Sequence, residues 1–197
     1  MAKRAFDLVV SALGLVLLSP LLLAAAAWIR LDSPGPVFYR QVRVGRHGTT
    51  FRIHKLRTMR HGRAAGPQIT VGDDDRITRA GRFLRQYKLD ELVQLIDVLR
   101  GDMSLVGPRP EVPRYVAMYP EELRDKVLSV RPGITDPASI AYRDEAGVLA
   151  AAADPEHEYV HVVMPAKLRL AARYVDEASL ATDLRLIGRT LRIVFGA

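Results

Sequence analysis

Residues 8–29 read LVVSALGLVLLSPLLLAAAAWI, and no charged side chain interrupts them. A run of roughly 22 apolar residues is long enough to cross a bilayer as a helix. Lys3, Arg4 and Asp7 precede it and Arg30 follows. The run exceeds the apolar region of a signal peptide, and residues 21–28 offer no convincing cleavage end. Ser19-Pro20 sits at its centre. Proline removes a backbone donor and clashes with the carbonyl four residues back, here Val16, so it bends the helix. The Ser19 hydroxyl can bond a carbonyl one turn back and relieve that bend. Each arm is then about 14–18 Å long at 1.5 Å per residue, roughly half of a hydrocarbon core of about 30 Å. Cations lie on both flanks, at Lys3 and Arg4 and at Arg30, Arg40, Arg43 and Arg46, and the positive-inside rule favours keeping both flanks cytoplasmic. A re-entrant helix broken at Ser19 and Pro20 satisfies every one of these signals. A kinked spanning helix is the alternative, since membrane helices tolerate proline.

The chain has 197 residues, enough for one domain with an anchor. It has no cysteine, which excludes a disulfide framework, Cys-ligated zinc and thiol catalysis. The formal charge of +7 calls for anionic partners. Aromatic residues make up only 7% and rarely interleave with basic ones, so lipid or phosphate accounts for the charge better than nucleic acid.

Beyond the anchor, Ser33-Pro34-Gly35-Pro36 stops the helix. Two β-leaning runs, 37–44 and 49–59, flank a Gly45-Arg46-His47-Gly48 turn and predict a hairpin. Residues 61–75 read as a loop, in which Asp73-Asp74-Asp75 is a weak metal candidate beside the plainer reading of a solvated turn. Helices are expected over 77–84, 89–99, 121–130, 150–153, 164–178 and 180–195. In the last, Leu184, Ile187, Leu191, Val194 and Phe195 recur at helical spacing with Arg185, Arg189 and Arg192 elsewhere on the wheel. That pattern fits either an amphipathic helix lying on lipid or a surface helix packed on the core.

The chemistry concentrates in Leu89-Asp90-Glu91-Leu92-Val93-Gln94-Leu95-Ile96-Asp97-Val98-Leu99-Arg100-Gly101-Asp102. At about 100° per residue, Leu89, Leu92, Val93, Ile96 and Leu99 make one apolar face. Asp90, Gln94 and Asp97 form a polar stripe beside it, with Glu91 about a quarter turn further round. An Asp-Glu pair on a helix is usually structural. Here cations crowd the sequence around it at Lys55, Arg57, Arg82, Arg85, Lys88 and Arg109. A carboxylate beside cations is favoured in its charged form, as a nucleophile requires. Anionic nucleophile and anionic phosphate repel, and a divalent ion such as Mg²⁺ is the usual remedy.

Ordered motifs run along the chain to about residue 145. They include Lys3-Arg4, Ser19-Pro20, Ser33-Pro34-Gly35-Pro36-Val37-Phe38, Lys55-Leu56-Arg57-Thr58-Met59 and Gly81-Arg82-Phe83-Leu84-Arg85. The most specific extends from Leu89-Asp90-Glu91-Leu92 to Met103-Ser104-Leu105-Val106-Gly107-Pro108-Arg109-Pro110. With these the chain resembles the bacterial sugar transferase family, the small monotopic phosphoglycosyl transferases. The resemblance implies a mainly α fold with a small β-hairpin (α+β). Residues 1–32 would form a re-entrant membrane helix. Residues 33–197 would form a compact cytosolic catalytic domain with interfacial amphipathic helices, on the cytoplasmic face of the bacterial inner membrane. It implies a UDP-sugar as donor, polyprenol (undecaprenyl) phosphate as acceptor and release of UMP. Asp90 would be the nucleophile of a covalent phosphosugar intermediate, and Glu91 would help to hold Mg²⁺. Lys55, Arg57 and Arg109 would bind the diphosphate. Arg143 is a weaker transfer, because the family's Gly-Ile-Thr-Gly-Trp-Ala-Gln is replaced by Gly133-Ile134-Thr135-Asp136-Pro137-Ala138-Ser139. No nucleic acid is expected as a partner, a homo-oligomer stays open, and the chain has the look of the minimal catalytic form.

Three rival readings are a non-enzymatic membrane scaffold, a metal-dependent glycosyltransferase built on Asp73 to Asp75, and a nucleic-acid binder. The first leaves the grouping of Asp90, Glu91 and the cations unexplained. The re-entrant reading is checked with single cysteines at Ala2 and Ser33 in sealed inverted vesicles. An impermeant thiol reagent should label both, whereas a spanning helix exposes only one.

Overall fold

The computed structural model describes residues 2–61 and 74–196. The chain opens with one long helix, α1 (Ala2–Asp32), and Pro20 lies inside it. The missing donor of Pro20 is compensated as the sequence suggests: Ser19 Oγ donates to the Val16 carbonyl at 2.8 Å, the carbonyl that proline leaves without its helical partner. Most of the apolar surface of α1 stays uncovered, with Val16 72% and Leu17 77% exposed.

Both ends of α1 are fastened to the same body. Near its start, Lys3 pairs with Asp183 and donates to the Val106 carbonyl at 3.1 Å. Arg4 reaches the Val98 carbonyl at 2.8 Å, and Asp7 accepts from Ser104 Oγ at 2.8 Å. At its finish, Asp32 accepts from Ala80 N at 2.9 Å. Arg57 there gives its guanidinium to the carbonyl of Ile29 in the last turn of α1 and to those of Ser33 and Pro34 just past its end.

An antiparallel hairpin follows, β1 (Phe38–Val44) and β2 (Thr50–Leu56), with Phe38 opposite Leu56 and Val44 opposite Thr50. Its turn closes through Gly45 N to the Thr49 carbonyl at 2.7 Å, with Gly48 at φ +77°. The expected strands are therefore present with trimmed ends. Ile77 bridges Met59, so the next helix, α2 (Arg79–Gln86), starts two residues later than its periodicity suggests. Thr78 caps it by accepting from Gly81 N.

The stretch expected as one helix over 89–99 is two elements. Lys88 has a left-handed backbone at φ +55°, Leu89–Gln94 is a 3₁₀ turn, and only then does α3 (Leu95–Arg100) begin. A 3₁₀ turn advances about 120° per residue, so the apolar phase slips. Leu95 and Val98 are buried and Leu99 lies at the surface, not the face the 100° spacing picks out. Asp90, Gln94 and Asp97, the polar stripe, are all buried.

After α3 comes β3 (Ser104–Val106), then α4 (Pro113–Val116) and α5 (Glu121–Val127), and β4 (Gly133–Thr135), which pairs in parallel with β3. Three-residue strands carry too little periodicity to be read from sequence. The pair needs Gly133, where a Cβ would lie 2.0 Å from Gly107 N. The rest is helical: α6 (Pro137–Ala141), α7 (Glu145–Ala150), α8 (Pro155–Glu158), a π-turn over Tyr159–Val163, α9 (Met164–Glu177) and α10 (Leu180–Phe195). Asp154-Pro155 opens α8 as cap and first residue. The helix expected over 150–153 lies earlier, as α7. Of the expected 61–75 loop, residues 62–73 lie outside the described residues.

The core lies in adjoining clusters. Ala25 and Ile29 of α1 pack on Leu56, Leu84 and Val93. Phe6, Leu15 and Leu18 pack on Leu95, Leu105, Val106, Tyr174 and Leu186. Val112, Tyr115, Leu149, Tyr159, Met164 and Leu168 fill the far side. α10 is anchored by Leu186, while Leu184 and Leu191 are half exposed.

Asp183 is buried and accepts from both Lys3 and Tyr174 Oη. Asp183→Ala should therefore lower stability by about 2 kcal/mol, a fall of roughly 4–8 °C in the thermal midpoint. Lys3→Ala should cost at least as much, because it leaves the Asp183 carboxylate, 1% exposed, without its cation. Thermal unfolding of the detergent-solubilised chain checks the order.

Candidate active site

The 3₁₀ turn sets Asp90 and Glu91 in its first turn, while Val93 enters the core behind them. β2 crosses in front. Its alternation points His54 one way and Lys55 the other. His54 N donates to Asp97 Oδ2 at 2.8 Å, and its ring Nδ1 lies 2.5 Å from Asp97 Oδ1. This buried clamp ties β2 to α3 and fixes the strand from which Lys55 projects. Lys55 Nζ lies 3.0 Å from Asp90 Oδ2 and 3.2 Å from Glu91 Oε1, bridging the two carboxylates.

The third wall is the loop after β3. Two prolines restrict Gly107-Pro108-Arg109-Pro110. Hydrogen bonds from Gly107 N to the Thr135 carbonyl and from Gly133 N to the Pro108 carbonyl hold it against β4. Arg109 meets Glu91 as a fork, Nη1 on Oε2 at 3.1 Å and Nη2 on Oε1. Asp136, at the start of the variant Asp136-Pro137-Ala138-Ser139 segment, caps α6 by accepting from Ser139 N at 2.7 Å and lies 3.4 Å from Arg109 N. The variation thus supports the backbone that carries Arg109.

Burial alone would raise the Glu91 carboxyl. The charges of Arg109 and Lys55, with the Arg109 hydrogen bond, outweigh burial and hold it well below the usual carboxylate range. Glu91 in turn raises Arg109 above the ordinary guanidinium value.

These groups form one end of a cavity of about 360 Å³. Arg85 and Lys88 line the same end, and Arg43, Arg143 and Lys167 line the other. Seven cationic side chains thus face four carboxylates, Asp90, Glu91, Glu111 and Glu145. Lys88 and Arg143 make no ion pair among the described residues. Sequence reasoning missed the far wall. There Glu111 accepts from Arg43 at 3.0 Å and from Tyr159 Oη at 2.5 Å. Lys167 sits 5.5 Å over the Tyr159 ring. Burial, reinforced by Glu111, pushes the Tyr159 phenol far up, so it is a donor and not a base. No local signal marks these residues, because they come from segments far apart in sequence.

Of the residues singled out from sequence, Asp90, Glu91, Lys55, Arg109 and Arg143 share this cavity. Arg57 is not among its lining residues. It was expected on the diphosphate, but its guanidinium is spent on the carbonyls at and just past the end of α1. Of the acidic run, Asp73 lies outside the described residues. Asp74 is held by the Arg76 side chain and lowered to about 2 by that hydrogen bond. No group of three acidic or histidine side chains fit for a metal occurs among the described residues. Two adjacent carboxylates do fit the mode in which Mg²⁺ takes one or two protein oxygens and completes its shell with water and substrate phosphate.

A profile of the bacterial sugar transferase family matches residues 1–197. The UDP-glucose:undecaprenyl-phosphate glucose-1-phosphate transferase of Caulobacter vibrioides is 40% identical over 96% of this chain and 68% of its own length. The UDP-N-acetylgalactosamine-undecaprenyl-phosphate N-acetylgalactosaminephosphotransferase of Aeromonas hydrophila is 35% identical over 99% of this chain. The UDP-glucose:undecaprenyl-phosphate glucose-1-phosphate transferase of Escherichia coli is 36% identical over 96%. The chain spans 44% and 39% of the lengths of the last two.

Arg109→Ala should leave burial of Glu91 opposed only by the charges of Lys55 and Lys88 and raise its carboxyl, moving the acid limb of the activity profile to higher pH. Because folding depresses the Glu91 value, its pairing stabilises the fold above the unfolded carboxyl value of about 4.3. That contribution fades as pH falls through the depressed folded value. Arg109→Lys keeps charge but loses the fork, so turnover should drop about tenfold or more with little shift of the limb. Paired pH–rate profiles of the two variants check this.

Proposed function

The chain belongs to the bacterial sugar transferase family, and from that premise we propose that it moves a sugar 1-phosphate from a UDP-sugar to polyprenol (undecaprenyl) phosphate and releases UMP. The observation that carries this reading is the Asp90–Glu91 pair at one end of a cation-rich cavity, bridged by Lys55 and forked by Arg109. A cavity with an excess of cations suits a diphosphate, and the paired carboxylates suit covalent transfer through one of them.

Asp90 is the nucleophile. A carboxylate oxygen attacks the sugar-bearing phosphorus, an Asp90 O–P bond forms, and the bond from that phosphorus to the bridging oxygen breaks. The electron pair leaves on UMP. In the second displacement a phosphate oxygen of the polyprenol phosphate attacks the same phosphorus, the Asp90 O–P bond breaks, and the carboxylate is regenerated. The kinetics are then ping-pong. Lys55 positions the Asp90 oxygen and offsets charge on the attacked phosphoryl group, while Arg109 presents a planar fork to phosphate oxygens. Lys88 and Arg143, which make no ion pair among the described residues, give the diphosphate two further cations. Mg²⁺ would be held by Glu91 together with diphosphate oxygens and would neutralise charge as the two anions approach. The UMP leaving group ties the chain to the first membrane step of glycan assembly, on the cytoplasmic face of the inner membrane. The attachment of both ends of α1 to one body supports a helix that enters and leaves the bilayer by that face.

Asp90→Asn should reduce UMP release at least about 1000-fold, even without acceptor. Wild type given a UDP-sugar and Mg²⁺ but no polyprenol phosphate should gain the mass of one phosphosugar, and peptide mapping should place it on Asp90. A label elsewhere, or an active Asp90→Asn enzyme, would overturn the assignment. Glu91→Gln should retain the adduct chemistry at reduced rate and recover partly in excess Mg²⁺.

A further inference from the structure

Three aromatic rings stand in a row where α1 meets α2. Trp28 of α1 lies 5.4 Å from Phe83 of α2, and Phe83 lies 4.7 Å from Tyr87, centroid to centroid. They are 41%, 42% and 42% exposed. Core aromatics are not left so open, and none of the three belongs to the core clusters or lines the cavity.

The row connects two places already described. At 100° per residue, Trp28 continues the exposed stripe of α1 formed by Val10, Leu13, Leu17 and Leu21. At the other end, Tyr87 closes α2 and is followed by Lys88, whose left-handed backbone turns the chain into the Asp90 segment. Lys88 lines the catalytic cavity and has no ion-pair partner among the described residues. An apolar track thus leaves the uncovered face of the long helix, crosses onto α2 and ends at Lys88, beside the nucleophile.

We propose that Trp28, Phe83 and Tyr87 form the groove that takes the isoprenoid tail of the acceptor, with Lys88 meeting its phosphate. The inference rests on the proposed function for the identity of the acceptor. The chemistry recognised is a long unsaturated hydrocarbon bearing one terminal phosphate. Aromatic faces suit the chain of double bonds and methyl groups, and charge complementarity at Lys88 sets which end enters the cavity. An aromatic belt that merely anchors α1 in headgroups would stay on α1. This row runs off it toward the reacting atoms.

Trp28 is the single tryptophan of the chain, so its emission reports the groove without reference to turnover. The full chain in phosphatidylcholine vesicles is titrated with undecaprenyl phosphate and, separately, with undecaprenol. A saturable change is expected with the phosphate and a weaker one with the alcohol. Lys88→Asn, which tolerates the left-handed backbone, should raise the half-saturating mole fraction of undecaprenyl phosphate about tenfold. Tyr87→Ala should raise it about fivefold. In turnover, Tyr87→Ala and Phe83→Leu should raise the KM for undecaprenyl phosphate more than that for farnesyl phosphate, whose tail is too short to fill the row. A fold defect would move both KM values together. Equal responses to phosphate and alcohol, or titrations unchanged in both Lys88→Asn and Tyr87→Ala, would overturn the groove. Saturable binding without UMP release from any UDP-sugar would leave the groove standing and remove the proposed reaction instead.

Discussion

Asp90 is 2% exposed and ends 3.0 Å from the Lys55 ammonium. An unpaired carboxylate so buried would pay several kcal/mol in lost hydration, so the architecture around it is arranged to deliver cations at fixed positions. Lys55 is delivered by β2, and β2 is held by the His54–Asp97 clamp to α3. Arg109 is delivered by the proline-bounded loop after β3, held by the short parallel pairing with β4 and by Asp136. Once Glu91 is locked between Lys55 and Arg109, the 3₁₀ turn that carries both acids is fixed from two sides.

The same cross-links tie the apolar helix into the structure. β3 offers the Val106 carbonyl to Lys3 and the Ser104 hydroxyl to Asp7, while Thr135 of β4 contacts Thr190 of α10. β2 continues directly into Arg57, which satisfies the carbonyls at the far end of α1. The candidate-site residues and the residues that anchor the long helix therefore lie on or next to the same strands. A shift in one set is felt by the other, because neighbouring residues share one backbone.

Sequence patterning was informative where one local rule acted alone. The length and apolarity of α1, the Ser19 bond to the carbonyl that Pro20 leaves without a donor, the hairpin around Gly45 to Gly48, and α9 and α10 all follow from nearest-neighbour chemistry. The Asp90–Glu91 pair and Arg109 were legible from motif order. It failed where two elements share a periodicity. The 89–99 segment carries helical spacing, yet Lys88 and the 3₁₀ turn rotate its first half, so the buried set becomes Asp90, Val93, Gln94, Leu95, Asp97 and Val98. Arg57 sits in a cation-rich motif two residues from Lys55, and in a continued strand it would share that face, but β2 ends at Leu56 and Arg57 turns instead to the end of α1. One reaches the carboxylates and the other the end of a helix.

By itself the sequence determined an apolar N-terminal helix with a proline inside it, a hairpin, a mainly helical body and an acidic pair among many cations. Those are consequences of composition and short-range spacing, which each segment carries without its neighbours. Only the tertiary structure decided which cations meet the acids, that Glu91 is forked by Arg109, that His54 and Asp97 brace the site, and that Tyr159, Glu111 and Lys167 form its far wall. Such contacts join residues separated by tens of positions. Their geometry is fixed by close packing and by the need to pair each buried charge, and neither constraint is written in any one segment.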